Sequence, residues 1–198
     1  KIIAGLTIFS GFLYVSIVTE DPDIWWHIKV GEGEVASWTI PRLDEYSFSM
    51  AGHAWVDHEW LVDAWLWWMH IQNLWWLGAA LFSMLAFTPF LFWISETRSV
   101  LGLALIMTAA TFMLHLVGIR PQMISVALFF AVFMIIRVRF ERGRDYFLIF
   151  PPLFLIWANL HGGFAMGLAF LGIIVFTHHA YLFFGKKIFD SRIAIRDL

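Results

Sequence analysis

Six apolar runs, at 2–18, 74–95, 100–117, 123–138, 146–158 and 164–184, divide this chain and constrain it more than any other feature. A helix that crosses a bilayer needs about 20 mostly apolar residues, with a range of roughly 17–25. The runs therefore predict an all-α integral membrane protein with about six transmembrane helices. The fifth run is short and carries Pro151 and Pro152. That predicts a distorted helix that does not cross the full hydrocarbon thickness, a form tolerated only where neighbours satisfy the freed backbone groups. Composition agrees: 61% of the 198 residues are hydrophobic and 14% charged. Soluble domains are roughly 45–50% apolar and about 25% charged, so a water-soluble globule is excluded. The chain has no Cys, which excludes disulfides, thiolate metal sites, iron–sulfur clusters and thioether-linked haem.

Lys and Arg collect on the cytoplasmic side of a membrane protein, so their distribution orients the runs. Lys1, Arg98, the cluster Arg137, Arg139, Arg142 and Arg144, and the group Lys186, Lys187, Arg192 and Arg196 fall on one side if each run crosses. The opposite side receives 19–73, with ten acids against Lys29 and Arg42. The predicted organisation is a first transmembrane helix at 1–18, an external acidic loop at 19–73, a bundle of about five helices at 74–185, and a basic cytoplasmic tail at 186–198. Both termini are expected in the cytoplasm. The chain begins at Lys1 rather than Met and is expected to be part of something longer. In this topology the turns 118–121 and 159–163 lie on the same external face as the acidic loop, so three polar clusters converge there.

Ten of the twelve Trp lie between Trp25 and Trp76. Trp favours the headgroup boundary because its ring is amphipathic, so the loop is expected to lie on the membrane as two interfacial helices. At 100° per residue a helix over 23–35 gathers Asp23, His27 and Glu34 on one face, with Asp23 and His27 at i, i+4. A turn is expected at 38–41 and a short extended piece at 46–49. A second helix over about 58–72 puts Glu59, Asp63 and His70 in one stripe, which reads as a solvated face for Asp63 and His70 and leaves Glu59 open between solvation and function.

Asp21 and Asp23 follow directly on the first apolar run, where a carboxylate partly desolvated by Trp rings suits a general base. A solvated loop is the plain alternative. Arg120, just before the helix-starting Pro121, opposes the cytoplasmic bias of basic residues and suits a bidentate bond to phosphate or carboxylate, or an anchor to lipid phosphate. Asn159 and His161, beside the pair Gly162-Gly163, are costly near lipid unless they line a cavity, and His115 lies near the same end. His178 and His179 read as structural. The spacing of His53, Asp57, His58 and Glu59 matches no closed zinc site, and no metal ligands are assigned. The chain has no P-loop, no GxGxxG, no GxSxG and no basic aromatic stripe for nucleic acid.

The runs Asp21-Pro22-Asp23-Ile24-Trp25-Trp26-His27, Pro41-Arg42-Leu43-Asp44-Glu45-Tyr46-Ser47-Phe48, Trp55-Val56-Asp57-His58-Glu59-Trp60-Leu61, Arg120-Pro121-Gln122 and Trp157-Ala158-Asn159-Leu160-His161-Gly162 come in this order. Together they resemble a family of bacterial polytopic membrane proteins linked to the GT-C class of glycosyltransferases. Enzymes of that class use polyprenyl-phosphate sugars, place a catalytic Asp just after the first span, and build the first external loop from two interfacial helices. The resemblance implies an inner-membrane enzyme with Asp23 as catalytic acid or base, Asp21 as its partner, Arg120 on the lipid-linked phosphate, and His161 orienting substrate. His27, His58, Glu59 and Asn159 complete the expected substrate-binding set; the cofactor is left open, with a divalent cation beside Arg120 as one option. GT-C proteins have more than six spans, so the resemblance covers an N-terminal half.

Two other classes compete. One is a non-catalytic membrane subunit of a larger complex, with His115, His161 and His178 ligating haem or a chlorophyll-type pigment. The other is a channel or transporter, which lacks a clear inverted repeat or a charged midplane residue.

Overall fold

The computed structural model describes residues 1–19 and 21–184. Glu20 and the basic tail at 186–198 lie outside the described residues. The order of elements is α1 (Ile2–Val18), α2 (Ile24–Ser37), α3 (Trp60–Ile71), α4 (Trp75–Glu96), α5 (Val100–Met113), α6 (Gln122–Arg142), a short 3-10 turn (Phe147–Ile149), α7 (Phe150–Ala158) and α8 (Phe164–Phe184). The protein is all-helical; among the described residues the single β feature is an isolated antiparallel bridge between Leu43 and Ala54.

Of these helices, α4, α6 and α8 are long and apolar enough to cross a membrane. The apolar helices α1, α5 and the 147–158 segment are shorter. Helix α5 ends at Met113, four residues before its apolar run does, because the chain passes into turns before Gly118. Pro151 and Pro152 occupy the first turn of α7, where their missing N–H groups have no helical partner to lose, so the helix is short but not broken.

The chain divides into two compact units, 1–164 and 165 onward. The second unit contains α8, whose His179 Nδ1 bonds the Val175 carbonyl at 2.8 Å along the same helix. In the first unit, α1 lies along α4. Phe9 meets Phe87 and Phe12 meets Phe90 with ring centroids 5.7 and 5.4 Å apart, and the Ser83 hydroxyl donates to Ser16 at 3.0 Å in the buried seam. Pro89 sits inside α4 and removes the N–H that the Leu85 carbonyl would accept. The Thr88 hydroxyl donates to that carbonyl at 2.7 Å, so the helix continues.

The two ends of this unit differ in charge. Lys1 Nζ donates to the Ser95 carbonyl at 2.7 Å, and Arg137 bonds Glu96 at 3.2 Å while stacking over Phe92 at 4.7 Å. Those contacts bring the start of α1 and the ends of α4 and α6 to one end. At the other end the 21–59 segment meets the 118–121 and 159–163 turns.

Helix α2 packs on α3 at very close range. A Cβ at Gly31 would lie 2.0 Å from the Asp63 carbonyl oxygen, so only glycine fits there. Met69 of α3 reaches over Gly78 of α4, where an added Cβ would lie 2.4 Å from the movable methionine methyl. The core beneath is Phe12, Leu66, Met69, Phe82 and Ala86, all fully buried.

Between α2 and α3 the chain turns at Trp38, in the left-handed region at φ 54°, and forms a short clasp. Asp44 N bonds the His53 carbonyl and Trp55 N the Arg42 carbonyl, each at 2.9 Å. The extended piece expected at 46–49 is instead the tip of this clasp. One Asp44 oxygen accepts from Tyr46 N at 2.9 Å and Ser47 N at 2.8 Å, and the Ser47 hydroxyl donates to the other. A side chain that satisfies three donors just downstream makes a turn cheaper than a strand.

Candidate functional site

Two polar groups lie at the acidic end of the first unit. The first joins the start of α2 to the 118–121 turn. Asp21 Oδ2 accepts from Arg120 Nε at 2.6 Å, and Asp21 Oδ1 accepts from Asp23 N at 3.1 Å. Asp21 is thereby fixed, while Asp23 stands exposed as the N-cap of α2. Pro121 occupies the N-cap of α6, one position outside the helix it was expected to begin. Beside the pair lies a cavity of about 390 Å³, lined in part by Asp21, Trp25, Asn73, Trp75, Trp76 and Ile119. Indole rings with one carboxylate and one amide make a wall suited to an amphipathic molecule.

The second group centres on Glu59. Three imidazoles face its carboxylate through Nε2: His27 at 3.7 Å, His58 at 3.4 Å and His161 at 3.5 Å. His58 is half exposed, whereas Glu59, His27 and His161 are largely enclosed, so the group opens to solvent on the His58 side.

Hydrogen bonds settle the direction of the chain behind His161. Trp157 Nε1–H donates to Ser125 Oγ at 2.7 Å, so the Ser125 proton is free to go to His161 Nδ1, 2.6 Å away. Gly163 N–H also donates to that Nδ1, at 2.9 Å. A nitrogen that accepts two bonds carries no proton, so neutral His161 is protonated at Nε2, facing Glu59. Burial pulls His161 below the ordinary imidazole value, against the pull of Glu59, and so favours this neutral form. The glycines make the arrangement possible: a Cβ at Gly163 would fall 2.3 Å from Ser125 Oγ, and one at Gly162 3.0 Å from His58 Nε2. Asn159 secures the same turn by accepting from Trp60 Nε1 at 2.7 Å and donating to the Leu155 carbonyl at 2.7 Å.

His27 turns its other nitrogen away from Glu59. Its Nδ1–H donates to Asp63 Oδ1 at 2.6 Å, across the α2–α3 seam. Its partner is thus not Asp23, one helical turn earlier, with which it shares only a backbone bond at 3.3 Å. Burial alone pulls His27 down, but the Asp63 bond and the charges of Asp63, Glu59 and Asp23 together raise it above the ordinary value. Burial in turn lifts Asp63 to about 6, with His27 pulling the other way.

Asp63 overturns the expectation of a solvated face. It is 0% exposed, because the acidic stripe of α3 is the face that α2 covers. Glu34 at 7% and Asp57 at 8% are buried with it. Carboxylate oxygens from the three lie within 4.8 Å of one another, the arrangement among the described residues that could hold a metal ion. Burial, then the charges of Asp57 and Asp63, raise Glu34 to about 8.

Of the eight expected site residues, His27, His58, Glu59 and His161 converge on one point, with Asn159 bracing their turn through Trp60. Asp21 and Arg120 form the separate pair, with Asp23 adjoining it. Ser125 carries no signal in the sequence, and Asp57 stands there only in a set whose spacing matches no closed zinc site. Glu34 and Asp63 were visible as acids on amphipathic faces, but nothing local says that those faces meet.

His115 is exposed beyond α5, and both ring nitrogens of His161 face partners. His53 is exposed and bonded to the Met50 carbonyl at 3.1 Å, apart from the acids that converge around Asp57. No protein-family model, curated protein or solved structure matches the chain.

Proposed function

We propose that this chain is a GT-C-like membrane glycosyltransferase, or part of one, that transfers a sugar from a polyprenyl-phosphate donor to an acceptor hydroxyl on the external face. The observation that carries the reading is the Asp21–Arg120 pair beside the Trp-lined cavity. Asp21 takes the Nε edge of Arg120, so the terminal nitrogens of the guanidinium remain as a fork for a phosphate. Asp23, exposed at the mouth of α2, is the base that takes the acceptor proton. The acceptor oxygen then bonds the anomeric carbon as the bond from that carbon to the phosphate oxygen breaks. Arg120 offsets the charge on the departing phosphate. His27, His58, Glu59, Asn159 and His161 bind and orient the sugar and acceptor, with the proton on His161 Nε2 available as a donor.

In this reading all six apolar segments reside in the membrane of a bacterial cell. The basic end of the first unit is cytoplasmic, and the Trp-rich segment lies on the outer surface. The 198 residues hold no Cys, so single replacements Ser49→Cys and Arg144→Cys in this chain can be labelled in whole cells with an impermeant maleimide. Labelling at 49 and protection at 144 is the expected pattern; the reverse refutes the orientation.

The activity test uses purified protein in liposomes with a radiolabelled polyprenyl-phosphate sugar and a range of hydroxyl acceptors. Turnover is expected in the parent and absent in Asp23→Asn, with the variant retaining its helical circular dichroism. Arg120→Ala is expected to raise KM for the donor and to lower kcat. Undiminished turnover in Asp23→Asn removes that residue from the mechanism, and an inactive parent protein refutes the transferase reading.

A further inference from the structure

The buried acids Glu34, Asp57 and Asp63 take no part in the transfer just described, and their geometry poses a problem of its own. Four carboxylate oxygens, Glu34 Oε1 and Oε2, Asp57 Oδ2 and Asp63 Oδ2, are fully buried without a hydrogen-bond partner. The remaining two oxygens are used outward. Asp57 Oδ1 accepts from Glu59 N at 3.0 Å, and Asp63 Oδ1 from His27. Each residue is more than nine-tenths buried and brings a carboxylate oxygen within 4.8 Å of one from each of the other two.

A buried carboxylate without partners is strongly disfavoured, so something must occupy the space between these three. A proton is the smallest candidate. One proton shared between Glu34 and Asp57 engages one oxygen of each and leaves Asp63 Oδ2 and the second Glu34 oxygen bare. A single cation at the centre is reached by one oxygen from each of the three carboxylates. Carboxylate oxygens spread over as much as 4.8 Å suit an ion with oxygen ligands at about 2.3–2.6 Å, which is the calcium range. The donor set is all oxygen and all anionic, which favours a hard cation over zinc or copper.

We propose that Glu34, Asp57 and Asp63 bind one calcium-type divalent cation, which ties α2, the end of the 38–59 segment and α3 together. Its consequence reaches the Glu59 group from two sides. The cation fixes Asp57, whose other oxygen holds the backbone of Glu59, and Asp63, whose other oxygen holds His27. Binding is therefore structural, and the proposal stands independently of the transferase reading.

The test uses the full chain, purified in a non-ionic detergent so that no lipid phosphate competes, and stripped with a chelator. Terbium is the calcium probe, since Trp26 and Trp55 pack with ring centroids 6.3 Å apart near the clasp and can sensitise its emission. Saturable one-to-one terbium luminescence is expected, displaced by calcium, together with a rise in thermal midpoint when calcium is returned to the stripped protein. Glu34→Gln and Asp57→Asn, each preserving shape while removing a charge, are expected to weaken binding at least tenfold. Glu32→Gln, at an exposed acid paired with Lys29, is expected to leave it unchanged. Absence of both saturable luminescence and a thermal shift in the parent protein overturns the proposal. So does binding that survives Glu34→Gln and Asp57→Asn together. A Glu34→Gln protein as stable as the parent with calcium, and indifferent to chelator, shows that a proton fills the site instead.

Discussion

Replacing Gly31 by Ala perturbs the contact that holds both halves of the acid–imidazole group. The added methyl would sit 2.0 Å from the Asp63 carbonyl oxygen and 2.4 Å from its carbon, with backbone rather than a flexible tip as the obstacle. Ordinary contacts are about 3.4 Å or more, so α2 and α3 must part by about 1 Å at this point. That displacement stretches the His27–Asp63 bond from 2.6 Å to beyond hydrogen-bond range. Overpacking costs about 1–3 kcal/mol and the lost charge-assisted bond about 1.5–3 kcal/mol, for a total on the order of 4 kcal/mol. At about 2–4 °C per kcal/mol for a chain of this size, the thermal midpoint should fall by about 10 °C. Intrinsic Trp fluorescence during heating in detergent reads it directly. Gly33→Ala is the matched control, because its methyl would meet only the Tyr46 hydroxyl, at 3.1 Å on a movable side chain. If Gly31→Ala melts with the parent and with Gly33→Ala, the close α2–α3 approach is wrong and the His27–Asp63 geometry falls with it.

Stability should also report the buried acids through pH. In chelator, Glu34 ionises in the unfolded chain near 4.5 but in the folded protein only near 8, so the folded state holds the extra proton between those values and stability falls as pH rises through that window. Asp63, raised to about 6, and His27, raised above its ordinary value, act in the same direction. The Glu34 contribution is about 5 kcal/mol at most, and Glu34→Gln should flatten the slope of thermal midpoint against pH between 5 and 8. An equally steep profile in the variant would show that Glu34 is not the titrating group. Ser125→Ala leaves the buried Trp157 indole N–H without its acceptor and should cost about 1–3 kcal/mol. Adding Trp157→Phe removes the orphaned donor, so the double variant should lose less than the two single losses combined; strict additivity in a thermal double-mutant cycle would rule out the bond.

The helices were legible because each depends on near neighbours in the chain. The apolar runs at 2–18, 74–95 and 164–184 match the helices Ile2–Val18, Trp75–Glu96 and Phe164–Phe184 closely, since an apolar segment in lipid has no other way to satisfy its backbone. The two helices of the Trp-rich segment follow from their periodicity, and the Asp44 turn was missed because alternation at 46–49 resembles a strand whenever the capping side chain is ignored. The convergence of the 159–163 turn on the acidic segment was legible from topology alone. The pairing of Ser125 with His161 was not, because it depends on which face of α6 Trp157 occupies.

The sequence by itself determined that this chain forms apolar helices, that its acids and indoles gather in one segment, and that Asn159 and His161 are costly near lipid unless they line a cavity. Those properties are sums over single residues or over one helical turn. Tertiary structure alone decided that His27 bonds Asp63 across 36 positions rather than Asp23 across four. It also decided that the acidic stripe of α3 is covered, and that Glu34, Asp57 and Asp63 share one buried point. The physical reason is the missing side chain at Gly31, which lets two backbones touch and turns faces that would each be solvated alone into the two walls of one enclosed site.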